Sequence, residues 1–166
     1  MNRLSRKRKD EIIREANRGL GPRDGWTPEM LARKETALGP NPMGGFSHDE
    51  LGCEFFRAGY FDRAVSEFEL AVRFNPWKAA FKVHLARAYL AVGKVDEAEE
   101  LAKAAISQDS DSPDTALAMA QVRQRKGDTL EAIAWYERCL AAEPNYWILH
   151  EAEENLKSLR AHGSDK

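Results

Sequence analysis

Apolar side chains along this chain recur three and four residues apart, and the whole arrangement returns after 34 residues. Leu51 with Phe55, and Leu85 with Tyr89, give an i, i+4 stripe, while Ala64, Phe68, Ala71 and Val72 give an i, i+4, i+7, i+8 stripe. Both periods are helical. Between the stripes stand Gly59, Gly93 and Gly127, each followed five residues later by an alanine, Ala64, Ala98 or Ala132. Eight residues before each glycine come Leu51, Leu85 and Met119, each followed by a small residue, Gly52, Ala86 or Ala120. Each unit therefore predicts two helices around a turn. The glycine accepts positive φ there without a Cβ penalty. The small residue lets the paired helices approach, with Phe68 or Tyr136 filling the space opposite.

Start and stop signals agree with this layout. Ser47 and Glu50 have the spacing of a capping box, flanked by Phe46 and Leu51 as a hydrophobic staple. Ser112 then Pro113 predicts an N-cap with proline at the first helical position. Pro76 and Pro144 close the first and third units, with Ser110 at the matching place in the second. Beyond them, Trp147, Leu149, Ala152, Leu156 and Leu159 predict a helix over 147–160, followed by a disordered tail, 161–166. Two roles are open to that helix: covering the last apolar face of the array, or meeting a partner or a second copy through Trp147.

The layout resembles the tetratricopeptide repeat family, whose unit is a 34-residue helix–turn–helix, and the match runs over residues 45–146 as units 45–78, 79–112 and 113–146. The resemblance implies an all-α fold, an α-solenoid in which the units stack as a right-handed superhelix. Two departures stand out. The tryptophan common near the start of such repeats is replaced by His48, Lys82 and Ala116. The aromatic expected near the third turn is Arg123, so the third unit is expected to pack less tightly or to be covered by another element.

The resemblance also implies a concave surface lined by the first helix of each pair. Its positions here are Phe46, Asp49, Cys53 and Phe56, then Val83, Arg87 and Leu90, then Leu117, Gln121, Gln124 and Arg125. Such a surface binds an extended peptide or a helix of another protein. The function implied is a non-catalytic adaptor or scaffold that assists assembly or localisation of a complex. The alternative is a self-associating structural protein, a homo-oligomer in which the N-terminal segment of one copy occupies the groove of the next. One subtype of the family grips chaperone C-terminal carboxylates with lysines and asparagines. Here Asp49 and Cys53 hold the first two of those positions and Asp114 a later lysine position, so a carboxylate ligand is repelled.

Residues 1–44 are not repeat-like. They predict a helix over about 4–18, a second from Thr27 to Gly39, and a Pro/Gly loop. They carry 10 Lys/Arg against 6 Asp/Glu, whereas residues 45–166 carry 15 against 21. The cluster Arg3, Arg6, Lys7, Arg8 and Lys9 has no interleaved aromatics, which gives salt-sensitive attraction rather than specific nucleic-acid binding.

At 43% hydrophobic residues the chain can bury a core, and its two cysteines make neither a disulfide framework nor a CxxC site. His48, His84, His150 and His162 show no metal-ligand spacing, and no phosphate-binding glycine loop is present, so no cofactor or metal is expected. Cys53 with His84 is the one pairing that invites nucleophilic chemistry, and it has no third orienting group. Cys139, where the earlier units have Ala71 and Ala105, is expected to be a buried small residue. The acidic run at 96–100 is expected to face water, and Arg123, Arg125 and Lys126 to offset a helix dipole, Arg125 with Arg87 being able to attract an acidic group. Without an apolar stretch of membrane-spanning length or a secretory leader, the expectation is a cytoplasmic protein that does not contact a membrane.

Overall fold

The computed structural model describes residues 45–163, and every regular element among them is an α-helix. These are α1 (Gly45–Arg57), α2 (Phe61–Phe74), α3 (Ala79–Ala91), α4 (Val95–Gln108), α5 (Pro113–Lys126), α6 (Thr129–Ala141) and α7 (Tyr146–Gly163). The helices expected near 4–18 and 27–39, the loop before residue 45 and the last three residues lie outside the described part. The chain is all-α, built of helix–turn–helix repeats of the α-solenoid class. It divides into two units, Met1–Phe74 and Asn75–Lys166.

Each of the three pairs turns on the same device. Gly59, Gly93 and Gly127 have φ of 80°, 83° and 83°. In each turn the glycine N–H and the next N–H donate back to the helix: Gly59 to Phe56 O and Tyr60 to Phe55 O, Gly93 to Leu90 O and Lys94 to Tyr89 O, Gly127 to Gln124 O and Asp128 to Arg123 O. This is a Schellman closure, which satisfies carbonyls that a helix end otherwise leaves open. The alanine five residues on is fully buried in every unit, at Ala64, Ala98 and Ala132.

In the first unit α1 packs on α2. Gly52 is a point of close approach, since a Cβ there would lie 2.6 Å from two ring carbons of Phe68. The expected capping box is corrected: α1 is already helical at Gly45, so Ser47 sits inside the helix rather than at its start.

The second unit holds two core clusters that share α5. One joins Val83, Ala86 and Leu90 of α3, Ala98, Ala102 and Ala105 of α4, and Ala118, Met119 and Val122 of α5. The other joins Ala116, Leu117 and Ala120 of α5, Ala132, Tyr136 and Cys139 of α6, and Ile148, Ala152 and Leu156 of α7. Because α5 is covered on two sides, it is apolar around most of its circumference instead of along one stripe. At its start Ser112 is the N-cap residue and Pro113 the first helical position, as expected, but the Ser112 side chain makes no capping bond. Thr115 Oγ1 donates instead to the carbonyls of Ser112 at 2.8 Å and Asp109 at 3.0 Å.

The terminal helix buries Ala152 and Leu156 as expected, and corrects the sequence expectation at Trp147 and in length. Ile148, Ala152 and Leu156 enter the core, whereas Trp147 is 78% exposed. Asn145 sets this phase, its Oδ1 accepting the N–H groups of Trp147 at 3.1 Å and Ile148 at 3.2 Å. The helix continues to Gly163, past the expected end at residue 160.

The third repeat is covered by α7 and is not loosely packed: Tyr136 and Val122 are fully buried. Arg123, standing where an aromatic was expected, pairs with Glu99 at 3.0 Å, Glu131 at 3.0 Å and Asp128 at 3.3 Å. Glu99 also accepts from Lys126 and from Lys103, the latter at 3.0 Å. The acidic run thus does not simply face water. Glu99 is buried between α4 and α5, and the hydrogen bonds from Lys126 and Lys103 hold its carboxyl down at about 2.

Candidate partner-binding surface

In the first unit the expected surface residues lie on α1. Phe46 is 58% exposed, and Asp49, Cys53 and Phe56 are half-buried. The Phe56 ring meets Phe61 of α2 edge-on, with centroids 5.2 Å apart. Phe61 and Phe74 are also exposed. His48, which replaces the family's tryptophan, stacks on Phe74 at 5.5 Å, and its Nδ1 lies 2.8 Å from Glu67 Oε2. Arg63 covers the outer face of Phe55, its guanidinium 4.7 Å from the ring centre. The polar tips thus anchor the aromatic residues at the edge of the helix pair.

In the second unit the expected residues separate into three groups. Val83, Leu90 and Leu117 are 2%, 5% and 1% exposed, and they serve the core clusters rather than an open wall. This corrects their expected place as accessible surface, and its cause is the close stacking of α3 on α5 and of α5 on α6. Arg87 and Gln121 are half-buried and converge on one carboxylate. Arg87 Nη2 donates to both oxygens of Glu151, at 2.9 and 3.0 Å, and Gln121 Nε2 donates to Oε1 at 2.7 Å. Gln124 accepts the buried Tyr136 hydroxyl at 2.6 Å. Arg125 alone among the expected residues of this unit is exposed, with no ion pair among the described residues.

Glu151 is the residue that sequence reasoning missed. It lies 64 positions from Arg87 and 30 from Gln121, beyond the reach of any local pattern. The acidic group that Arg87 was expected to attract is supplied by the chain's own terminal helix.

Lys82, which also stands at the family's tryptophan position, is buried on α3. Its ammonium donates to the carbonyl of Pro76 and to Gln108 Oε1, the latter at 2.8 Å, and burial lowers its pKa. Gln108 Nε2 donates to the same Pro76 carbonyl at 3.0 Å. Cys139 is fully buried, as expected, and burial pushes its thiol up to about 11.

No curated protein sequence matches the chain. Among solved structures, the first TPR of Spaghetti (RPAP3) bound to HSP90 peptide SRMEEVD is 21% identical, covering 75% of this chain and 97% of its own, with a TM-score of 0.64. The second TPR domain of human RPAP3, in complex with HSP70 peptide SGPTIEEVD, is 25% identical over 70% of this chain and 94% of its own, with a TM-score of 0.59. PcrH in complex with the chaperone binding region of PopD is 19% identical over 70% and 90%, also at 0.59. Tetratricopeptide repeats are matched over residues 55–122 and again over 114–146. Together these spans cover more than half of the 166 residues, and the chain belongs to the tetratricopeptide repeat family.

Proposed function

We propose that this protein is a non-catalytic adaptor that holds an extended peptide or helix of another protein against the first helices of its repeats. By this reading it assists assembly or localisation of a complex in the cytoplasm. The observation that carries the reading is the aromatic edge of the first unit, where α1 exposes Phe46 and the exposed Phe61 and Phe74, at the two ends of α2, meet Phe56 and His48 of α1. Apolar area of this kind on so small a unit gains about 25 cal/mol for every Å² that a partner covers. Structures of the same fold include complexes with peptides and with a chaperone binding region, which supports the reading.

The partner-facing residues by this reading are Phe46, Asp49, Cys53 and Phe56 in the first unit and Arg125 in the second, with Arg87, Gln121 and Gln124 behind it. Asp49 and Asp114 disfavour a ligand that ends in clustered carboxylates.

Affinity purification from native cells tests the proposal. Partners captured by the wild type are expected to be lost on combining Phe46→Asp with Arg125→Glu, at unchanged helix content by circular dichroism. Calorimetry with the heat-shock tail peptide SRMEEVD is expected to show no micromolar binding. Full retention of partners by the double variant would move the interface away from these residues.

A further inference from the structure

The second unit contains a cleft of about 240 Å³ at the N-terminal ends of α3 and α5, where the end of α4 passes them. One wall is Trp77, which is 70% exposed. The lining also includes Asp109 and Asp114, whose carboxylates make no hydrogen bond or ion pair among the described residues. Lys78 is the one cation on the lining, which leaves the two acids in excess.

One edge of the cleft is held in shape by a small hydrogen-bonded network. The Pro76 carbonyl, next to Trp77, accepts from both Lys82 and Gln108, and the Gln108 amide spends its oxygen on Lys82 and its nitrogen on Pro76. Trp77 is therefore attached to a loop that is fixed before any ligand arrives, and preorganisation of this kind lowers the cost of binding. Small-molecule sites usually start at about 300 Å³. The smaller volume here suits one side chain. Its charge selects a cation, and an exposed indole is the best aromatic face for one. A planar guanidinium can stack on that face while its N–H fork reaches a carboxylate. Phosphate-bearing ligands are repelled by both acids.

We propose that this cleft takes the guanidinium of an arginine in an extended segment of the partner protein, stacked on Trp77 and paired with Asp109 and Asp114. The proposal rests on the adaptor reading and adds to it the chemistry of the partner: at least one arginine, rather than an acidic tail, enters the second unit.

The test follows the Trp77 indole N–H of the full chain by NMR, assigned through its loss in Trp77→Phe. N-acetyl-arginine methylamide is titrated in, with N-acetyl-glutamine methylamide as the neutral probe. The expected result is a saturable shift with the arginine probe and none with the glutamine probe, weakened at least fivefold in Asp109→Asn/Asp114→Asn. Absence of a saturable shift, an equal response in the double variant, or an equal response of the exposed Trp147 would overturn the proposal. A response that appears only after Arg3, Arg6 and Arg8 are replaced by glutamine would overturn the partner as occupant in favour of the chain's own basic segment. Partner capture that survives Asp109→Asn/Asp114→Asn, alongside a failed titration, would remove the cleft and leave the adaptor standing.

Discussion

Gly52→Ala turns a close helix approach in the first unit into a measurable strain. A new Cβ would lie 2.6 Å from Cδ1 and Cε1 of Phe68 and 3.1 Å from Cγ. Carbon atoms in contact settle at about 3.5–4.0 Å, so the ring or the helix must move by roughly 1 Å. Phe68 is only 2% exposed and has no free side to move into. Overpacking of this kind costs about 1–3 kcal/mol, and two ring carbons in conflict place it near the upper end. Replacing glycine by alanine inside a helix returns about 1 kcal/mol. The expected net loss is about 1–2 kcal/mol, which for a chain of this length lowers Tm by roughly 2–8 °C.

The assay is thermal unfolding followed at 222 nm on four chains: wild type, Gly52→Ala, Phe68→Leu and the double variant. If the Cβ conflicts with the ring, the smaller leucine relieves it, and the double variant is more stable than the sum of the two single losses by about 1 kcal/mol or more. A rise in Tm for Gly52→Ala, or additivity within about 0.5 kcal/mol, would refute the reasoning.

Two further outcomes follow from buried ionisable groups. Glu99 is held at about 2 against an ordinary 4.5, a depressed value, so its contribution is fully present above about pH 4.5 and is lost as the pH falls toward 2. The shift sets a ceiling of about 3 kcal/mol, and with Lys103 and Lys126 partly in solvent the expected loss is about 1–2 kcal/mol; guanidinium denaturation from pH 6 to pH 2.5 should show a shallower decline in Glu99→Gln than in the wild type. Cys139 has no exposed surface and a thiol raised to about 11 by burial, so in Cys53→Ser it should react with a disulfide reagent at pH 8 at least about 100-fold more slowly in the native chain than in denaturant. A rate within tenfold would show that α5–α7 open readily.

The repeat could be read from sequence because its chemistry is local. Gly59, Gly93 and Gly127 each donate to the carbonyl three positions earlier while the next residue donates five positions back, and only glycine takes that φ without strain. The buried alanines repeat at a fixed offset for the same reason. Errors arose where a single residue sets the phase. Trp147 and Ile148 differ by about 100° around a helix, and the side chain that chooses between them, Asn145, gave no hydrophobic signal. Glu99 resembled its solvent-facing neighbours, because its partners Arg123 and Lys126 lie 24 and 27 residues further on.

The expected wall of the second unit fails for a related reason, and its failure redirects where recognition occurs. Family positions mark which face of a helix points inward, but they do not distinguish a side chain covered by the next helix from one open to a ligand. Val83, Leu90 and Leu117 are of the first kind. Arg87 and Gln121 are open in principle, but they are already satisfied by Glu151, so a partner must displace a carboxylate held by three hydrogen bonds to use them. Charged hydrogen bonds contribute about 1.5–3 kcal/mol each, and a competing acid would gain little beyond what it removes. Groups with unused capacity among the described residues include Arg125 and, on a loop and at helix ends rather than along the inward face, Trp77, Asp109 and Asp114. Selectivity in this unit therefore follows from what the terminal helix leaves unpaired, and at the cleft that remainder is aromatic and acidic.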